Sequence, residues 1–132
     1  EFRRVLFRSY VLGMWQILQQ SQPDDYVLAT GISKSVREFV ELAFKEINVK
    51  LRWEGVGVDE IGVCTETGKI IVRVDPRYFR PTEVDNLQGD ASKAFRDFGW
   101  KATTSVADMV AEMVQHDLAE LHSNSQKLDM KG

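Results

Sequence analysis

Three arginines, Arg73, Arg77 and Arg80, fall within eight residues, and Glu83 follows three positions after the last of them. A guanidinium presents its donors in a planar fork that matches two phosphate oxygens at once, and the charge shortens and strengthens each bond. Pro76 and Pro81 stiffen the backbone around the cluster, because each fixes its own φ. A carboxylate at Glu83 can accept hydrogen bonds from the paired hydroxyls of a sugar. The chemistry this set could do is therefore recognition of a phosphorylated sugar or nucleotide. The same residues also suit a solvated loop in which arginines pair with local acids, and spacing alone favours that plainer reading.

Other constellations fail on detail. Gly55-Val-Gly57 begins like a dinucleotide fingerprint, but Glu60 occupies the third glycine position and strand-like sequence follows where a helix is required. A flexible turn accounts for it better. His116 and His122 stand six residues apart and would point to different sides of a helix, so no metal site is expected. The chain contains no Tyr-x-x-x-Lys pair and no Gly-x-Ser-x-Gly elbow, so it carries no self-contained catalytic set. Cys64 reads as a small apolar strand residue.

The elements that must position the arginine cluster are legible from periodicity. Tyr10, Val11, Met14, Trp15 and Leu18 recur at helical spacing. Tyr26-Val-Leu-Ala29 is a short apolar run of the kind buried in a parallel sheet. Ser35-Val-Arg-Glu38 forms a capping box ahead of a helix with the stripe Val36, Phe39, Val40, Ala43, Phe44 and Ile47. Leu51–Glu54 predicts a strand, and Val63–Thr65 with Ile70–Val74 predicts a hairpin turning at Gly68. A short helix follows, with Asp90 as N-cap, Ala91, Ala94, Phe95 and Phe98 inward, and Gly99 as its left-handed C-terminal residue ahead of Trp100. Ser105 opens the last helix, with Val106, Met109, Val110, Met113, Val114, Leu118 and Leu121 on one face. The fold class expected is α/β.

Composition narrows the function classes. The 132 residues are 43% hydrophobic and 28% charged, ordinary for a folded domain. Seventeen basic and twenty acidic side chains leave a formal charge of −3, which argues against a nucleic-acid binder. No apolar run reaches the roughly 18 residues a membrane span requires. A single cysteine cannot form an internal disulfide, and a cytoplasmic location follows as the expectation. Residues 1–9 read as a non-native or read-through segment, 10–122 as the domain proper, and 123–132 as a polar tail that frays.

Beyond these physical readings, Tyr78-Phe-Arg-Pro-Thr-Glu-Val84, Leu87-Gln-Gly-Asp90, Ser92-Lys-Ala94 and Gly99-Trp-Lys101 together resemble the C-terminal lobe of the GDP-mannose 4,6-dehydratases. Tyr26-Val-Leu-Ala-Thr-Gly31, Ser35-Val-Arg-Glu-Phe-Val-Glu41, Trp53-Glu-Gly55 and Glu66-Thr-Gly-Lys69 extend the likeness from Tyr10 to about Leu118. The resemblance implies the C-terminal part of an extended short-chain dehydrogenase (Rossmann-like) fold, with a small α+β substrate-binding lobe. It further implies an NADP-dependent lyase that dehydrates GDP-mannose to GDP-4-keto-6-deoxymannose on the way to GDP-fucose. Matched onto the family's Arg-x-x-Glu element, Arg80 would bind the pyrophosphate and Glu83 the ribose hydroxyls. NADP and the catalytic residues would belong to an N-terminal domain that this sequence does not contain, and the parent would be a dimer or tetramer. A related sugar-nucleotide epimerase or reductase, and a binding module with no chemistry, are the competing readings.

Overall fold

The computed structural model describes residues 2–80 and 87–129. Its elements run α1 (Phe2–Leu18), α2 (Val36–Glu46), β1 (Leu51–Glu54), a 3-10 turn (Gly57–Asp59), β2 (Ile61–Cys64), β3 (Ile70–Arg73), α3 (Ser92–Phe98) and α4 (Val106–Asp129). The strands form one antiparallel sheet in the order β1-β2-β3, so the architecture is mixed α and β. The chain divides into two compact units, one comprising Glu1–Lys34 with Asn86–Gly132 and the other Ser35–Asp85. No helix among the described residues is long and apolar enough to cross a membrane.

In the Ser35–Asp85 unit, local chemistry sets the boundaries. Ser35 accepts the Glu38 N–H through its hydroxyl while the Glu38 carboxylate accepts the Ser35 N–H, which completes the expected capping box. The Trp53 indole N–H donates to Glu41 at 2.7 Å and ties β1 to α2. The Arg37 guanidinium lies 5.5 Å above the same ring and pairs with Glu60. Strands β2 and β3 make the expected hairpin, with Gly68 at φ 68° and its N–H donating to the Cys64 carbonyl. A register shift between Gly62 and Val63 puts an irregularity into the pairing. Val63 and Cys64 are the buried residues of this sheet.

The other unit is built around Trp100, Ala94 and Val110, all buried. Helix α3 ends as expected: Gly99 adopts φ 71°, its N–H donates to the Phe95 carbonyl, and the Trp100 N–H donates back to Ala94. This closing pattern satisfies orphan carbonyls and swings Trp100 onto the helix. The indole N–H then donates to the Ser9 carbonyl at 2.7 Å, and Tyr10 meets the ring edge-on at 5.5 Å. A Cβ on Gly13 would stand 2.6 Å from the indole nitrogen and 2.8 Å from Leu28 Cδ1. Only a bare backbone fits there, and α1 also packs against α4.

Five expectations are corrected. Tyr26–Ala29 is extended, but no described strand pairs with it, so it is not a ladder strand of a parallel sheet. Helix α1 starts at Phe2 rather than Tyr10, and it buries Gly13 while Val11, Met14, Trp15 and Leu18 face outward. Tight docking through a glycine outcompetes the larger apolar stripe. Asp90 does not occupy the N-cap: Ala91 does, and the Asp90 carboxylate accepts the Ser92 N–H from one position earlier. Phe95 is exposed, whereas Phe98 stacks edge-on against Tyr26 at 5.0 Å. Helix α4 continues to Asp129, past the point where fraying was expected; its first turn is held by Ser105, whose hydroxyl accepts the Asp108 N–H.

Candidate functional site

The three arginines of the Ser35–Asp85 unit share a region of chain but not an environment. Arg73 ends β3 and is exposed. Asp75 then folds the backbone over: its carboxylate accepts the Arg77 N–H at 3.0 Å, and its carbonyl accepts the Tyr78 N–H at 3.0 Å. An aspartate that bonds two residues ahead is a turn-former, and Pro76 inside the turn suits the geometry. The same carboxylate holds the Arg77 guanidinium through Nε at 3.1 Å and Nη2 at 2.6 Å. Arg77 also sits 5.5 Å above the Tyr78 ring. Two of its faces are thus taken, and it acts as the clamp of the turn.

Arg80 is different. It is exposed and makes no hydrogen bond or ion pair with a described residue. Its neighbour Phe79 supplies the anchor: a Cβ on Gly57 would lie only 3.6 Å from Phe79 Cζ, so the ring rests over that glycine. The backbone at Arg80 is consequently fixed from below while its guanidinium stays open to a ligand. Glu83, the other expected site residue, lies outside the described residues. The structure therefore separates Arg80 from Arg77, which spacing alone had grouped together. Asp75 and Phe79 escaped the sequence reading; the Asp-Pro-Arg order was the signal that could have found the first.

The clamp predicts a pH response. The Arg77 guanidinium, bonded to Asp75, holds that carboxyl below its ordinary value, with the Arg77 backbone N–H adding to the effect. A depressed folded-state value means that the contribution to stability is present above the unfolded carboxylate pKa and is lost as pH falls through the folded one. Carboxyl-detected NMR titration should show Asp75 protonating below the other surface aspartates, and Arg77→Gln should return it toward the ordinary value. An Asp75 midpoint that Arg77→Gln does not move would mean that the turn does not depend on the pair.

No other region gathers a competing set. Gly55-Val-Gly57 does not fit a dinucleotide: it leads into a 3-10 turn and then β2, and Phe79 covers the second glycine. His116, Asp117 and Glu120 bring ligand atoms within 4.8 Å of one another, but all three are exposed on one turn of α4, where helical spacing alone makes them neighbours. The Cys64 thiol is buried in the hairpin and drawn below its ordinary value by the Thr67 side chain. A cleft of about 600 Å³ in the other unit is lined by Thr30, Gly31, Asp90, Phe95 and Lys101 among others. None of the three arginines reaches it.

With this geometry in place, comparison with known proteins is specific. A family model described as GDP-mannose 4,6 dehydratase matches residues 5–113. A GDP-mannose 4,6-dehydratase from Sinorhizobium fredii (strain HH103) is 55% identical over 119 residues, covering 90% of this chain and 34% of its own length. The Drosophila melanogaster GDP-mannose 4,6 dehydratase is 51% identical over 116 residues, 88% of this chain and 29% of that protein. The human one is 47% identical over 117 residues, covering 89% and 32% respectively. The chain spans about a third of the length of the curated relatives it matches.

Proposed function

The chain belongs to the GDP-mannose 4,6-dehydratase family, and from that premise we propose that it is the nucleotide-sugar-binding third of such an enzyme. The parent protein removes water from GDP-mannose and releases GDP-4-keto-6-deoxymannose, with NADP as the redox cofactor that supplies and recovers the hydride. The observation that carries this reading is Arg80: a guanidinium positioned by Phe79 and left without a described partner beside an arginine that is already neutralised. A diphosphate is the ligand whose charge and oxygens match it. Glu83 completes the set by accepting from the ribose hydroxyls.

This chain's part in the reaction is to bind and orient. Fixing the GDP end places the hexose for residues elsewhere in the parent, and positioning of that kind supplies much of an enzyme's acceleration. The Rossmann-like cofactor domain and the acid–base residues belong to the remaining two-thirds of the parent, in the extended short-chain dehydrogenase arrangement. A cytoplasmic, dimeric or tetrameric enzyme is the fuller picture.

The test is a chimera in which this chain replaces the matched 119 residues of the Sinorhizobium fredii relative. With NADP and GDP-mannose it should form the 4-keto product, while this chain alone should form none, having no Tyr-x-x-x-Lys pair. A folded chimera that yields no product, or turnover by this chain alone, would overturn the assignment.

A further inference from the structure

Helix α1 is apolar on two opposed sides. Its Gly13 side carries Tyr10 and Ile17 and closes onto Trp100 and Leu28. The opposite side presents Val11, Met14, Trp15 and Leu18, all more than half exposed, and Leu12 beside them is 51% exposed. At 3.6 residues per turn the first four fall on a single stripe. A helix that is apolar all round belongs in an interior, because water would otherwise face large apolar surface continuously. Among the described residues nothing covers that stripe. The relatives, meanwhile, carry about two-thirds of their length beyond the part this chain matches.

We infer that the outer stripe of α1, centred on Trp15 and Leu18, is a docking surface for the rest of the family's chain, so that α1 is sandwiched within the parent enzyme. A second observation on the same unit points the same way. Tyr26–Ala29 is extended, makes no backbone hydrogen bond with a described residue, and leaves Val27 half exposed. Free ladder groups next to a bare helix face are what a larger sheet-containing body would satisfy. The inference rests on the proposed parentage, and it adds which surface the parent closes over.

Accessibility of the stripe decides it. Met14→Cys and Leu18→Cys are introduced separately into this chain and into the chimera with the Sinorhizobium fredii relative, and iodoacetamide labelling at each position is followed by mass spectrometry. Labelling should be fast in this chain alone and slower in the chimera by about tenfold or more, as local opening becomes limiting. Equal rates in both would overturn the inference. So would protection already present in this chain alone together with a dimeric mass, since a second copy would then be the occupant. Trp15→Ser in this chain alone gives an independent reading that needs no chimera: its thermal midpoint should not move, and a clear fall in a monomer would mean that the stripe is already buried within the chain. Product formation by the chimera is scored separately. An active chimera whose stripe still labels fast defeats this inference alone, and a protected stripe without product defeats the functional reading alone.

Discussion

Trp100→Ala should cost about 3–5 kcal/mol of folding stability, the range for deleting a large buried aromatic. The side chain is 3% exposed and makes three kinds of contact at once. Its ring fills the space that Gly13 leaves open, it meets Tyr10 edge-on, and its indole N–H satisfies the Ser9 carbonyl. Truncation opens a cavity that α1 cannot fill, because no side chain projects from Gly13. Since a domain's whole stability is typically about 5–15 kcal/mol, the variant should lose a large share of it. Trp100→Phe separates the contributions: most of the packing stays, and the lost hydrogen bond should cost about 1–2 kcal/mol. Urea unfolding at constant m-value measures both. A Trp100→Ala midpoint close to the parent's would mean that α1 is not held by this ring.

Arg80→Ala should weaken GDP binding by roughly one to two orders of magnitude, the equivalent of about 1.5–3 kcal/mol for a charge-assisted bond. The effect is expected to be large because Arg80 has no described partner to release before it meets a phosphate. Arg77→Ala should act differently. Its guanidinium already belongs to Asp75, so removing it should loosen the turn and alter GDP affinity less. Glu83→Ala, which removes a ribose contact, should also cost less than Arg80→Ala, and NADP affinity should barely change in any of the three. Calorimetry on the chimera with GDP, and then with NADP, distinguishes the roles. GDP affinity unchanged in Arg80→Ala would return the arginine to an ordinary solvated side chain. Loss of GDP and NADP binding together would indicate a folding defect instead.

Local signals in the sequence decide local structure in this chain. The capping box at Ser35 and Glu38, the hairpin at Gly68 and the left-handed Gly99 all appear where the residue types place them. In each case the determining interaction spans only a few residues, so it can be read without knowing the rest of the fold. The phosphate-binding character of the Arg73–Arg80 stretch was likewise readable, because guanidinium chemistry belongs to the residue type.

Partnerships between distant residues were not readable in that way. Periodicity identified an apolar stripe on α1, but a stripe records only that something apolar should cover it. Tertiary packing put the Gly13 side against Trp100, eighty-seven positions further along, and left Trp15 and Leu18 outside. Tyr26–Ala29 has strand-like composition, yet a strand exists only when a second one supplies its hydrogen bonds. Spacing also could not tell Arg77 from Arg80. That difference arose from the turn at Asp75, which consumes one guanidinium, and from Phe79 resting on Gly57, which holds the next one open. Residue type and short-range order set what each segment can do, while contacts across long separations decide which of those capacities is used up inside the fold and which is left for a ligand or partner.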